Sequence, residues 1–200
     1  MSGQLLFATG NQNKVRELAE LISDLDLELL SLADFPDYVS PVEDGKTFHE
    51  NARIKARSAC EYTGMAALAD DSGLCVDALN GAPGVFSARY SGEYASAREN
   101  NEKLLKEMKD IDDDRRGACF TAVFCLSLPD GRDYFSEGRV YGSIMREYRG
   151  TKGFGYDPLF FVTEKGKGMA EMTLSEKNFI SHRSRAFEGI ITALNSLFPK

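Results

Sequence analysis

A chain of 200 residues, 42% hydrophobic and 28% charged, is long enough for one domain with a substantial core and polar enough to read as a soluble globular protein. Its formal net charge of -7 argues against non-specific attachment to DNA, RNA or an anionic membrane, while a local cluster of Lys and Arg or a bound metal still admits an anionic small molecule. No apolar stretch reaches the length of a membrane span, no basic start precedes an apolar run, and Cys60, Cys75, Cys119 and Cys125 lack CxxC spacing; the expectation is a cytoplasmic protein with reduced thiols and no signal peptide, two disulfides being the alternative.

Gln4 to Ala8 reads as a first strand, ending in the polar turn Thr9-Gly10-Asn11-Gln12-Asn13-Lys14. Val15, Leu18 and Ile22 then recur at helical spacing, so the chain opens strand, glycine turn, helix, as an α/β domain does. A helix N-terminus offers free N–H groups and a favourable dipole end to phosphate, and Thr9, Asn11, Asn13 and Lys14 add donors and a charge. P-loop spacing is missing, so a plain capped loop and a phosphate site both stay open. Leu25 to Leu32 predicts a second strand, and residues 34–46 a long polar loop. Thr47 and Glu50 then form a capping-box pattern before a helix with Phe48, Ala52, Ala56 and Ala59 on one face. Asn51 and Lys55, four apart, share a different, polar face. For Lys55 three readings stand: a phosphate contact, a pair with Glu43, or an ordinary solvated lysine.

Met65 to Ala69 reads as a short buried strand, with Asp70-Asp71-Ser72-Gly73 as an acidic turn at its end. Neighbouring strand residues point to opposite faces, so one aspartate can face a ligand while the other supports it. Adjacent carboxylates are costly without a cation, a proton or donors to share them. A divalent metal would offset that cost and could activate a water; an aspartate-rich surface turn is the plain alternative. Ser96 and Glu99 make a second capping box, before a helix to about Lys109 carrying Leu104, Leu105 and Met108. Ala118 to Leu128 and Tyr134 to Ile144 read as strands joined by the turn Pro129-Asp130-Gly131. The length of this hairpin suggests a sheet extending into a second lobe, with a cleft between lobes as the ligand site. No repeat or linker divides the chain, so a single domain over residues 1–200 is expected. In Gly153-Phe154-Gly155-Tyr156-Asp157-Pro158 the glycines permit close backbone approach, and Phe154 and Tyr156 are placed to stack on a flat ring, a core position for Phe154 being the competing reading. Leu159 to Val162 reads as a buried strand. Ser181-His182-Arg183 precedes a closing helix with an apolar stripe of Ala186, Ile190, Leu194 and Leu197; Arg183 suits a nucleobase carbonyl. His49 and His182 are too far apart in sequence to suggest a zinc site.

In this order, Thr9 to Lys14, Thr47 to Lys55, Ala69 to Leu74, Gly81 to Gly92, Gly153 to Pro158, and Glu176-Lys177-Asn178 with Ser181 to Arg183 resemble, nearly end to end, the inosine triphosphate pyrophosphatase family of Ham1-like enzymes that act on dITP, ITP and XTP. The resemblance implies an α/β fold with a central mixed sheet flanked by helices, elongated and two-lobed, and a homodimer; the net charge adds the expectation of no nucleic-acid or membrane partner. It implies Mg²⁺, with Asp71 as general base and metal ligand, Asp70 assisting, and Glu43 as a further metal ligand delivered by the long loop. Thr9, Gly10, Asn11, Gln12, Asn13, Lys14 and Lys55 would hold the triphosphate, and Ser72 would donate to substrate. Phe154, Gly155, Tyr156, Asp157 and Lys177 would line base and sugar, and His182 and Arg183 would read the 6-oxo group.

The chemistry implied is cleavage between the α and β phosphates, with cations offsetting the substrate charge and a carboxylate orienting or deprotonating water. Base discrimination would rest on hydrogen bonding, because a wrong polar pairing in a buried site is left unsatisfied. Other readings are a Maf-like pyrophosphatase acting on another base, a nucleotide sensor without catalysis and, disfavoured by the charge, a nucleic-acid-binding protein.

Overall fold

The computed structural model describes residues 3–198. Seven strands and five α-helices alternate as β1 (Gly3–Phe7), α1 (Gln12–Leu21), β2 (Leu27–Ser31), α2 (Phe48–Thr63), β3 (Ala67–Val76), α3 (Ala97–Glu107), β4 (Gly117–Ser127), β5 (Asp133–Ile144), β6 (Phe160–Val162), β7 (Lys167–Gly168), α4 (Leu174–Asn178) and α5 (His182–Leu197). The strands form one sheet in the order β2-β1-β3-β4-β5-β6-β7. β1 runs parallel to β2 and β3, whereas β6 is antiparallel to β5 and β7, so the sheet is mixed and the α/β expectation holds. Among the described residues no helix is long and apolar enough to cross a membrane.

The chain divides into two compact units. One comprises the chain up to Asp71, Ala122–Gly138 and the chain from Arg183; the other comprises Ser72–Thr121 and Arg139–His182. In the first unit the period-two alternation of strands sorts the core onto two faces. Leu5 and Phe7 of β1, Leu68 of β3, and Phe124 and Leu126 of β4 pack with Leu18 of α1 and with Ala186, Phe187, Ile190 and Leu194 of α5. Leu6, Ala67, Ala69, Val123 and Cys125 point the other way and meet Ala52, Ala56, Ala59 and Cys60 of α2. The alanine face of α2 lets that helix sit close against the sheet. Both ends of α2 are fixed locally: Thr47 and Glu50 close the expected capping box, and Gly64 ends the helix in the left-handed region at φ +69°.

β3 departs from the sequence reading. It does not end before the acidic pair but runs through it to Val76. Asp-Asp-Ser-Gly is turn chemistry in isolation. Here Asp70 and Asp71 are only 1% and 8% exposed, and cationic side chains from helices on both faces replace the water a turn would have given them.

The second unit is built on Leu74, Val76, Leu104, Met108, Phe120, Val140, Ile144, Leu159, Phe160 and Val162. Ser96 caps α3 with Glu99 as expected, turning Leu104 into this core. Tyr156 joins it as well, buried, with its hydroxyl donating to the Ser87 carbonyl at 2.8 Å.

Candidate active site

The two faces of β3 decide the chemistry of its carboxylates. Asp70 has the parity of Leu68 and therefore points to the side of α1 and α5. There Lys14 Nζ reaches Asp70 Oδ2 at 2.8 Å, and Arg183 Nε donates to the same oxygen at 3.2 Å. Arg183 Nη1 donates to Glu17 Oε2 at 2.7 Å, one turn along α1 from Lys14. Two cations and two carboxylates thus balance in a buried group. Asp70 Oδ1 is buried in it with no hydrogen-bond partner among the described residues.

Asp71 has the parity of Ala67 and Ala69 and points to the side of α2. Asn51 Nδ2 donates to Asp71 Oδ2 at 3.2 Å, and Lys55 Nζ lies 3.2 Å from Asp71 Oδ1. The same ammonium lies 2.8 Å from Glu43 Oε2, which the loop before α2 delivers. One ammonium here stands between two carboxylates.

The proton affinities follow. Burial works to raise the Asp70 pKa, but Lys14 and Arg183, with Lys55 behind them, outweigh it and hold the carboxyl well below its ordinary value. For Asp71 burial prevails over Lys55, Lys14 and the Asn51 hydrogen bond, and Glu43 adds to it, so the pKa is raised. Burial pulls the Lys14 pKa down further than Asp70 restores it. Burial also acts to lower Lys55, but Asp71, Asp70 and Glu43 more than compensate, and its pKa is raised. Asp70 is therefore a fixed negative charge, and Asp71 a carboxylate readier to accept a proton.

Magnesium, which the resemblance implies, is usually held by one or two carboxylates together with substrate phosphates and water, not by an all-protein cage. The donor set fits that pattern. Among the described residues no group of three or more His, Cys, Asp or Glu side chains could hold a metal, but Glu43 and Asp71 already flank a common cation, the Lys55 ammonium.

The polar turn between β1 and α1 uses part of its own donor set. Thr9 Oγ1 accepts from the Asn11 N–H at 3.2 Å, and Asn11 Oδ1 accepts from the Asn13 N–H at 3.0 Å as the α1 N-cap. Gly10, Asn11, Gln12 and Asn13 are exposed, and Thr9 is partly so. Ser72 is partly buried within β3.

The glycine-aromatic loop lies in the second unit. Gly153 has φ +81°, and a Cβ there would come within 2.1 Å of Asp157 Oδ2, so the position has to be glycine. The freed space lets Asp157 Oδ2 accept from the Phe154 N–H at 2.9 Å and from Lys177 Nζ at 2.8 Å. Lys177 also sits over the Phe154 ring, 5.2 Å from its centroid. Asn101 Nδ2 donates to the Gly155 carbonyl at 2.9 Å. His182 stacks on Phe120 with ring centroids 5.0 Å apart. Tyr156 is buried in the core of this unit, and Phe154 is the more exposed ring of the loop. The expectation of base reading by Arg183 meets an unforeseen constraint, since its guanidinium is engaged by Glu17 and Asp70.

Glu17 was not singled out from sequence; it stands three positions after Lys14, one helical turn, and that spacing is the signal that could have found it. Asn51 was noted only as sharing a polar face with Lys55, without a role of its own.

Residues 5–193 match the Ham1 family. A dITP/XTP pyrophosphatase of Geobacter sulfurreducens is 54% identical over 183 residues, 92% of this chain and 92% of that protein. One from Elusimicrobium minutum is 52% identical over 191 residues, 94% of this chain and 97% of that protein. Among solved structures, a HAM1 protein from Coxiella burnetii superposes with a TM-score of 0.89 at 42% identity, covering 97% of this chain and 99% of that chain. A nucleoside-triphosphatase, dITP/XTP pyrophosphatase, from Mycobacterium abscessus gives a TM-score of 0.76 at 44% identity, covering 98% and 100%.

Proposed function

This chain belongs to the Ham1 family, and from that premise we propose that it hydrolyses dITP, ITP and XTP to the monophosphate and pyrophosphate, removing non-standard purines from the nucleotide pool. The observation that carries the reading is the division of labour across β3: Asp70 neutralised by Lys14 and Arg183, Asp71 left with a raised pKa beside Glu43. A hydrolase of this kind needs a carboxylate able to take a proton from water, and Asp71 has the better-matched affinity.

In this mechanism Asp71 orients the attacking water and receives its proton. Lys14 and Lys55 lie against the triphosphate and offset its charge, most strongly as it builds on the transferring phosphoryl group. The N–H groups of Gly10 and Gln12, the side-chain amides of Asn11, Gln12 and Asn13 and the N-terminus of α1 supply neutral donors to phosphate oxygens. Glu43 and Asp71 would hold Mg²⁺, which when bound supplies further charge neutralisation at the phosphates and lowers the pKa of water. Ser72 donates to substrate. Phe154 stacks on the purine, with Gly155, Asp157 and Lys177 around it. His182 and Arg183 address the 6-oxo group, Arg183 by sharing donors now engaged by Glu17 and Asp70. The same reading includes a homodimer, which sedimentation would test.

A panel of dITP, ITP, XTP, GTP, ATP and dTTP, scored for pyrophosphate with and without Mg²⁺, tests the function. Preferential Mg²⁺-dependent release from dITP, ITP and XTP is expected. Equal turnover of dTTP, or release that persists without magnesium, would overturn the proposal.

A further inference from the structure

Asn51 is 1% exposed and makes two hydrogen bonds that join different segments. Its Oδ1 accepts from the Gly45 N–H at 2.9 Å, and its Nδ2 donates to Asp71 Oδ2 at 3.2 Å. The orientation of the amide is forced: Gly45 offers only a donor and the Asp71 carboxylate only acceptors, so a flipped amide would set donor against donor and acceptor against acceptor. The neighbouring loop amides are held by the same turn of α2, since Glu50 Oε2 accepts from Lys46 N–H at 2.6 Å and Thr47 N–H at 3.1 Å. The approach is close: a Cβ on Gly45 would lie 2.6 Å from Asn51 Oδ1. Glu43 is two residues upstream of this clamp.

Resting on the pyrophosphatase reading above, we propose that Asn51 is a positioning residue of that reaction: its amide ties the loop carrying Glu43 to Asp71 and sets the separation of the two carboxylates. Lys55 spans the same two carboxylates, but it is a cation and is drawn to the triphosphate when substrate arrives. Asn51 is neutral and buried, so its two bonds persist through that exchange. Asp71 is held from both sides, Oδ2 by Asn51 and Oδ1 by Lys55, and the Asn51 bond is the one no anionic substrate competes for.

Asn51→Leu removes both bonds while keeping the branched outline of the side chain, and Gly45→Ala presses a methyl group on the amide and on Glu50 Cβ from the loop side. Partners that orient metal ligands typically contribute about 10–100-fold to metal affinity or activity. Asn51→Leu is therefore expected to lower kcat by about 10–100-fold and to raise the Mg²⁺ concentration for half-maximal rate, with the KM for dITP at saturating Mg²⁺ little changed. Gly45→Ala should act in the same direction. A readout without turnover is the rise in melting temperature caused by Mg²⁺ alone, which should shrink in both variants. If wild type is active and both variants keep its kcat and Mg²⁺ dependence, Asn51 has no positioning role. A loss of stability with the Mg²⁺ response intact would make Asn51 structural only. Should Asn51→Leu fail to fold, Gly45→Ala decides by the same measurements. A wild type without metal-dependent release overturns the parent reading, and this role with it.

Discussion

Asp70 and Asp71 are consecutive in one strand, yet the two sides of the sheet treat them in opposite ways. On the side of α1 and α5, two buried cations and two carboxylates balance, and Asp70 is kept ionised. On the side of α2, one ammonium serves two carboxylates, and Asp71 is pushed toward its protonated form. The first arrangement holds a fixed charge between helices and sheet; the second leaves a carboxylate readier to accept a proton. Identical residue types one position apart thus acquire different proton affinities from strand parity and from the side chains each helix brings.

The comparison breaks most sharply at Asp71. Asp71→Asn should lower kcat by about 10²–10⁴-fold, the usual range for a lost general base. Because folding already favours the protonated form of Asp71, thermal melts should show stability kept or raised. On the other side, Arg183→Ala leaves Glu17 and Asp70 as buried carboxylates short of a cation. We expect a loss of about 3–5 kcal/mol in a denaturant titration, the scale for breaking a buried pair from one end. A smaller loss would mean that water enters the group.

Acidification separates the two sides without a substitution. The folded pKa of Asp70 lies below its unfolded value of about 3.9, so its contribution to stability is fully present above that pH and is lost only as pH falls through the lower folded value. The Asp71 value is raised, so in melts without Mg²⁺ acid favours that side rather than costing it stability. The melting temperature should therefore hold from pH 7 to about 4 and fall below it; an earlier decline would contradict the division. The smallest effect is at the Thr47 cap of α2. Thr47→Ala should cost about 1 kcal/mol by denaturant melts, a loss confined to helix stability.

Much of this was legible in the residues. Both capping boxes formed where Thr47/Glu50 and Ser96/Glu99 placed them, because they depend on contacts within four residues. The alanine face of α2 and the apolar stripe of α5 were likewise readable from spacing, whereas the Lys55–Glu43 pair was one of three readings open for that lysine. What escaped depends on partners distant in sequence. β3 continues through Asp70-Asp71 because Lys14, Lys55 and Arg183 arrive from three separate helices. Tyr156 reads like Phe154 in sequence, but the Ser87 carbonyl gives its hydroxyl a buried partner and draws the ring inward. Glu17 and Asn51 are ordinary helix residues until Arg183 of α5 meets the first and Asp71 of β3 the second.

The parity of β3 also limits how this chain can change in length. A residue inserted between Ala69 and Asp70 would turn each aspartate toward the other's helices and exchange their cationic partners. Indels here are thus more damaging than most exchanges of side chain. In a gene carrying such a frame-preserving insertion, loss of activity would be expected even with every functional residue still encoded.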